Sequence, residues 1–384
     1  MLFGTYDTTM HPRIATIAEG LVANGLDVAE CNAPLGLSTA DRVAMLAKPW
    51  IGGPALLGRL ASRWTTLAVR AARMPMPDVV VVGYLGHFDV HLARLVFGVR
   101  GLLRRRRVPI VLDHLVGASD TGKDRRLDGG PRQLLLRMID AAALRAADVI
   151  VVDTDEHLAS LPQRHRDHAV VVLVGAPAAW YDAARTAAAP DYPDSAAVSG
   201  GAAFGPGGGP LTVIFYGLYT PLQGTPTIGA ALGKIAGADI EVTMVGRGQD
   251  EAETKSAAAA STSVRWLDWV PAAELPALVA EHDVCLGIFG SGEKARRVVP
   301  NKVFQGAAAG CAIVTSDTAP QRRVFGDTAL LVPPGDADAL AAALLELASD
   351  RGRLAELREA ARELAVKRFA PAQVVAPLLE KIAD

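Results

Sequence analysis

Short apolar runs alternate with amphipathic stretches along almost the whole chain, and the alternation stops only once. In the first half the apolar runs Met1–Phe3, Asp27–Cys31, Val79–Val82, Pro109–Asp113, Val149–Asp153 and Val170–Val174 read as strands. Helical spacing fills the intervals, over residues 12–24, 39–47, 55–74, 89–98, 131–146 and 155–161. Runs that stay apolar, without alternating, belong to sheets covered on both faces, and the helices between them make right-handed crossovers. Asp153, with Glu156 three positions on, predicts a capping pair for the last of these helices.

Residues 185–210 (RTAAAPDYPDSAAVSGGAAFGPGGGP) have little to bury and much Gly and Pro, so they read as a flexible linker. The rhythm then resumes with strands at Leu211–Tyr216, Ile240–Val245, Val264–Leu267, Val284–Phe289, Cys311–Thr315 and Ala329–Val332. Thr225 before Pro226 predicts an N-cap and a first helical residue. Beyond Asp336 the chain reads as almost wholly helical, ending in a short helix after Pro371. The fold class is α/β, with two Rossmann-like doubly wound parallel-sheet domains. They cover 1–184, joined by the C-terminal helix 370–384, and 211–369. Ligands of such sheets bind at the carboxyl ends of the strands, which predicts a cleft where two sheets face each other.

At 384 residues and 50% hydrophobic, the chain is long enough for two such cores. A net charge of −2 gives no whole-molecule attraction to nucleic acid, although the first half is net positive and the second net negative. Cys31, Cys285 and Cys311 show no metal-ligand spacing and read as small buried hydrophobes of a reducing compartment. The chain opens directly into a strand with no signal pattern. Its longest charge-free stretch, Ser195 to Gly233, is broken by Gly and Pro and cannot span a bilayer. The expectation is a cytoplasmic protein, soluble or peripheral to the inner face of the membrane.

The chemistry concentrates between Val284 and Gly335. Lys294, Arg296, Arg297 and Lys302 precede, or sit in the first turn of, a helix opening at Pro300. A helix N-terminus is already partly positive, so cations gathered there call for an anion, and a phosphate or pyrophosphate fits. The alternative is that the side chains point into water.

Five segments in order carry a family likeness. They are FYGLYTPLQG (215–224), VGRGQ (245–249), VRWLDWVP (264–271), FQGAAAG (304–310) and LVPPGD (331–336). Together they resemble the retaining glycosyltransferases of family 4. The resemblance implies a GT-B fold, a nucleoside-diphosphate sugar as co-substrate, transfer with retention, and neither cofactor nor metal. The chain also departs from the family. Two glutamates eight apart would fall on Arg297 and Gln305, and an Arg and a Lys that grip the pyrophosphate would fall on Leu218 and Gln223.

The resemblance assigns roles residue by residue. Lys302 and Arg297, with Lys294 in the K-x-x-R-x-x-P-N-K pattern that includes Asn301, would supply fixed charge to a leaving diphosphate. Gly217 and Gly224 would let backbone amides approach the phosphates. Gln223, Gly246, Gln249 and Val270 would line the donor, though Gly246–Gln249 read equally as a simple turn. Gln305 would bond sugar or ribose hydroxyls, or be an ordinary helix residue. Trp266 and Trp269 read as core residues, with stacking of either on a nucleotide base as the alternative. On the acceptor side stand Gly4, Tyr6, His11 and Arg13 after the first strand, Tyr84 and His87 after the third, and Asp113 and His114 at the end of the fourth. His114 is the candidate base, although the family histidine would fall at Leu115. His165 and His168 read as solvent-facing turn residues.

Between residues 55 and 74, Arg59, Arg63, Arg70 and Arg73 lie within roughly 40° of one direction on a helix. Arg104 to Arg107 add a basic run. Such a face suits contact with an anionic membrane or an acidic acceptor; a solvated surface is the alternative.

The leading reading is a glycosyltransferase acting on a glycan, a lipid-linked precursor or a secondary metabolite. The alternatives are a nucleotide-sugar 2-epimerase-like enzyme, or a catalytically silent nucleotide-sugar-binding partner protein.

Overall fold

The computed structural model describes residues 1–7, 12–36, 49–84, 86–115, 130–187 and 209–383. The helix expected at 39–47, His11, and linker residues 188–208 lie outside the described residues. The chain forms two compact units, one of Met1–Leu173 with Val374–Asp384 and one of Val174–Gln373. Residues 174–184, assigned from the sequence to the first domain, therefore belong to the second unit.

In the first unit the strands are β1 Leu2–Gly4, β2 Glu30–Asn32, β3 Val80–Val82, β4 Ile110–Asp113, β5 Val149–Val152 and β6 Ala169–Val171. They form one parallel sheet in the order β2-β1-β3-β4-β5-β6. Its helices are α1 Arg13–Ala23, α2 Pro49–Arg73, α3 Asp89–Arg104, α4 Gly130–Ala146, α5 Asp155–Ser160 and α6 Gln163–Arg166. Leu67 and Ala71 of α2, Ala93 and Phe97 of α3, and Ala143 of α4 share one apolar cluster, so these helices cover the same face of the sheet. Ile14 and Ile17 of α1 cover the opposite face, together with Leu378 from the end of the chain.

The second unit begins with α7 Ala178–Ala187 and then repeats the plan. Its strands are β7 Leu211–Tyr216, β8 Ile240–Val245, β9 Val264–Leu267, β10 Val284–Leu286, β11 Ala312–Ser316 and β12 Leu330–Val332. All are parallel, in the order β12-β11-β10-β7-β8-β9. The helices are α8 Thr225–Lys234, α9 Glu251–Ala257, α10 Leu275–Ala280, α11 Asn301–Ala308, α12 Ala319–Phe325, α13 Ala337–Ser349 and α14 Arg351–Leu364. After a π turn, α15 Pro371–Val374 and α16 Ala376–Ala383 end the chain, and α16 packs on β5 and β6 of the first unit. In each sheet the first strand is flanked by the second and by a later one, so the winding direction reverses beside β1 and beside β7. Those reversals open the crevices in which doubly wound sheets hold ligands.

All twelve strands expected from the apolar runs form, with ends shifted by a few residues. Two caps differ. Thr154, not Asp153, caps α5, its Oγ1 accepting from the His157 amide at 3.2 Å. Asp153 is turned instead toward the His157 ring. Gly224 at φ +66 precedes α8, while the Thr225 hydroxyl is buried and accepts from Thr254 Oγ1 at 2.9 Å. In both cases another side chain claims the expected cap, the His157 ring for Asp153 and the Thr254 hydroxyl for Thr225. All three cysteines are free and buried, as their apolar settings predict.

Candidate functional site

The reversal beside β7 gathers three pieces of backbone: the turn after β7, the turn after β8, and the loop from β10 to the start of α11. Glycine makes this convergence feasible. A Cβ on Gly246 (φ +129) would lie 2.0 Å from the Gly217 carbonyl oxygen, and one on Gly224 would lie 2.4 Å from the backbone of Phe289 and Gly290. Any side chain at either position would force the turns apart.

Lys302 enters this nest from the first turn of α11. It is 5% exposed, its Nζ donates to Gln223 Oε1 at 2.5 Å, and it lies 3.7 Å from the centre of the Phe215 ring. The same Nζ would lie 3.1 Å from a Cβ on Gly217, so it rests against the turn after β7. Among the described residues no carboxylate pairs with it. Burial pushes its ammonium down from the usual 10.5 to about 7. A buried cation held by an amide oxygen and a ring face lacks the counter-charge that would stabilise it fully. An anion entering the crevice provides one.

Gln305 follows one turn later and is also buried, its Oε1 accepting from Tyr216 Oη at 3.0 Å. Tyr216 Oη lies 3.3 Å from the Lys302 carbonyl, which ties β7 to the first turns of α11. Trp180 of α7 stacks on Tyr216, centroids 5.9 Å apart and planes 17° from parallel. Sequence reasoning missed Tyr216 and Trp180, because neither lies in the cation-rich stretch; the terminal Tyr of the β7 run was the available signal.

The remaining donor-side candidates are more dispersed. Arg297 is bound to Glu293 at 3.3 Å, so its charge is partly committed. Lys294 and Asn301 are half-buried, and Arg296 is exposed. Gln249 is exposed and Val270 half-buried. Trp266 packs against the core, with Lys255 Nζ 5.5 Å from its ring centre. Trp269 does not pack in the core as expected, being 74% exposed.

In the first unit the polar residues also gather at carboxyl strand ends, but several are consumed by structure. Arg13 is 1% exposed; its Nε reaches both Asp113 oxygens at 2.8 and 3.1 Å. Its two terminal nitrogens donate to the Leu173 and Val172 carbonyls at 3.2 and 3.0 Å. This corrects the two roles read from the sequence: Arg13 is sealed away from an acceptor, and Asp113 is its buried counter-ion. Burial pushes the Asp113 carboxyl up against the opposing pull of Arg13. Tyr6 is likewise buried, its hydroxyl donating to Glu30 Oε1 at 2.9 Å. Gly4 lies beside it, and Asp89 clamps the following residue by accepting from Thr5 N and Oγ1 at 2.7 and 2.8 Å. Tyr84 is half-buried.

His87 and His114 meet edge to face with centroids 5.3 Å apart, and His87 Nε2 lies 3.1 Å from Asp140 Oδ1. Burial pushes His114 down from 6.5 to about 3, so it is neutral. Its Nδ1 is buried without a hydrogen-bond partner among the described residues. One ligand atom each from His87, His114 and Asp140 falls within 4.8 Å of the others, a donor set that could hold a divalent transition ion. Asp140 is a residue that sequence reasoning did not single out. His165, expected in solvent, is 7% exposed and meets Arg164 Nε at 3.1 Å, whereas His168 is exposed.

Comparison with known proteins gives these arrangements a context. Residues 210–350 match the family described as Glycosyl transferases group 1. A phosphatidyl-myo-inositol mannosyltransferase of Mycolicibacterium smegmatis is 35% identical over 144 residues, which is 36% of this chain and 36% of that protein. The chain thus matches about a third of the length of this curated relative. Sucrose-phosphate synthase from Thermosynechococcus elongatus superposes with a TM-score of 0.62 at 16% identity, over 96% of this chain and 92% of that one. The Anabaena protein HepE, solved with UDP and glucose, gives 0.58 at 14% identity, over 85% and 83%. Two six-stranded parallel Rossmann-like units with these neighbours constitute a GT-B fold.

Proposed function

We infer, from a chain whose residues 210–350 match the family described as Glycosyl transferases group 1, that this protein transfers a sugar from a nucleoside-diphosphate sugar to an acceptor hydroxyl. The observation that carries the reading is Lys302, a buried ammonium without a carboxylate partner among the described residues, held against the glycine turn after β7. HepE is solved with UDP and glucose, and the mycobacterial relative is a mannosyltransferase named for phosphatidyl-myo-inositol; a hexose donor and a lipid-linked acceptor are the classes these names favour.

The proposed reaction retains the anomeric configuration and uses neither metal nor cofactor. Bond breaking places negative charge on the leaving diphosphate, and a preoriented ammonium in a water-poor crevice stabilises that charge without reorganising. Lys302 takes this role, with Lys294 and Arg297 in support, and backbone amides at Gly217 and Gly224 approach the phosphates. Gln305, locked by Tyr216, orients hydroxyls of the sugar or ribose. The proposed location is the cytoplasm or the inner face of its membrane.

A second reading has an observation of its own. Arg297 and Gln305 stand where the resemblance places two glutamates, which favours a protein that binds nucleotide sugar without turning it over. Incubation with UDP-, GDP- and dTDP-hexoses plus lipid and glycan acceptors, followed by NMR of the products with and without EDTA, separates the readings. Transfer with retained configuration, unaffected by EDTA, is the expected result. Inverted product or EDTA-sensitive transfer contradicts the proposed mechanism. Isomerised sugar points to the epimerase, and tight binding with no product to the silent protein.

A further inference from the structure

Three side chains of the first unit stand in a relationship that the proposed transfer does not use. His87 lies in the turn between β3 and α3. Gly86 before it closes that turn tightly, since a Cβ there would lie 2.4 Å from the Val82 side chain and 2.7 Å from the Gly83 carbonyl oxygen. His114 follows β4, its main chain fixed by the amide that donates to the Val151 carbonyl at 2.8 Å. Asp140 comes from the middle of α4, three positions before Ala143, which lies in the apolar cluster against the sheet. Asp140 therefore sits on the inward side of its helix. Three separate elements thus bring two imidazoles and one carboxylate together.

Hydrogen bonding leaves two nitrogens of this group unexplained. His87 and Asp140 are 7 and 9% exposed. His87 Nε2 lies 3.1 Å from Asp140 Oδ1, yet it has no aligned hydrogen-bond partner among the described residues. The buried Nδ1 of His114 has none either. Buried ring nitrogens normally find one. A tetrahedral zinc ion with bonds of about 2.0–2.1 Å sets its ligand atoms about 3.3 Å apart and the centres of two bound imidazoles about 5.2 Å apart. The first spacing is close to the 3.1 Å contact, and the second to the 5.3 Å between the two ring centres. One ligand atom from each residue lies within 4.8 Å of the other two, so turning a ring about its side-chain bonds completes the set.

We propose that His87, His114 and Asp140 form a binding site for one divalent transition ion, zinc foremost, with water in the fourth position. Two imidazoles and a carboxylate suit zinc, whereas magnesium and calcium favour shells made of oxygen alone. The ion ties the end of β4 to the turn after β3 and to α4, so its effect is on the stability of the first unit. A metal on His114 also occupies the lone pair that a general base needs, which removes this residue from proton transfer. The sugar transfer proposed above uses no metal and rests on Lys302 of the other unit. Binding and melting read the metal site without turnover, so either proposal stands or falls alone.

The test is equilibrium dialysis of the chelator-stripped full chain against zinc, read by elemental analysis, beside thermal melting and titration with cobalt. About one zinc per chain, a melting temperature that rises on loading, and the intense visible bands of four-coordinate cobalt are expected. Asp140→Asn and His87→Gln should each weaken zinc binding about a hundredfold. His168→Gln, which changes an exposed histidine, should leave it unchanged. If one site substitution prevents folding the other remains, and the wild-type stoichiometry needs neither. A wild type that retains no zinc or melts no higher with it, zinc held equally by both site variants, or zinc lost in His168→Gln would overturn the proposal. So would the weak bands of six-coordinate cobalt, which would mean ions at the surface only.

Discussion

The side-chain nitrogen of Lys302 donates to Gln223 Oε1 across 2.5 Å, joining the first turn of α11 to the turn that precedes α8. The two residues are separated by 79 positions. By resemblance, Gln223 occupies the place of a lysine that grips pyrophosphate. The chain therefore brings an ammonium to the neighbourhood of that place from another segment, and a neutral amide receives it.

That ammonium makes donor binding depend on pH. Burial pushes Lys302 from 10.5 to about 7, so above neutrality the free protein holds a mostly neutral amine there. The unfolded chain then binds more protons than the native one between about pH 7 and 10.5, and stability of the free protein rises across that window. An incoming diphosphate favours the charged form and draws a proton back. Calorimetry with a UDP-sugar at pH 8.5, in buffers of differing ionisation heat, should show uptake of up to one proton and affinity falling as pH rises. Buffer-independent heats would contradict this.

Tyr216→Phe removes the hydroxyl that donates to Gln305 Oε1 and leaves that buried oxygen without this partner. The expected loss is about 1–3 kcal/mol, read by urea denaturation. The sugar-dependent part of donor affinity should fall more than the affinity for UDP itself, since Gln305 is assigned to hydroxyls.

Arg13→Leu leaves the Asp113 carboxylate buried without its cation. A destabilisation of about 3–5 kcal/mol is expected, against a smaller one for Arg13→Leu/Asp113→Leu. Nucleotide affinity of the folded fraction should stay unchanged. A neutral single variant would mean that water reaches the carboxylate.

Gly246→Ala and Gly237→Ala separate crowding from backbone strain. Both glycines have positive φ, +129 and +85, yet a Cβ meets the Gly217 carbonyl at 2.0 Å in the first case and nothing within 4 Å in the second. Gly237→Ala should cost about 1–2 kcal/mol. Gly246→Ala should cost clearly more and also weaken nucleotide binding.

The fold was legible because local sequence decides it. Val-rich runs such as Val79–Val82 and Val149–Val152 suit parallel strands wherever they fall, and all twelve formed. Lys302 was legible as a cation at a helix start, and Gly217 and Gly246 through the family resemblance, but the burial of Lys302 was not. Pairings between distant residues were not legible either. Nothing near Arg13 announces Asp113, which is 100 positions away, and nothing near His114 announces Asp140 on the helix of the next crossover. Trp269 was misjudged for the same reason, since an aromatic residue enters a core only if other elements surround it.

The central claim is that Lys302 is the fixed charge for a nucleoside diphosphate, and isothermal titration of UDP and GDP into the wild type and Lys302→Met tests it most directly. Methionine fills the same space beside Phe215 and Gln223 without a buried charge, so the variant should melt no lower than the wild type. The wild type should bind at least one of the two nucleotides, and Lys302→Met should bind it at least tenfold more weakly. A folded Lys302→Met variant with wild-type affinity, or a wild type that binds neither, would contradict it.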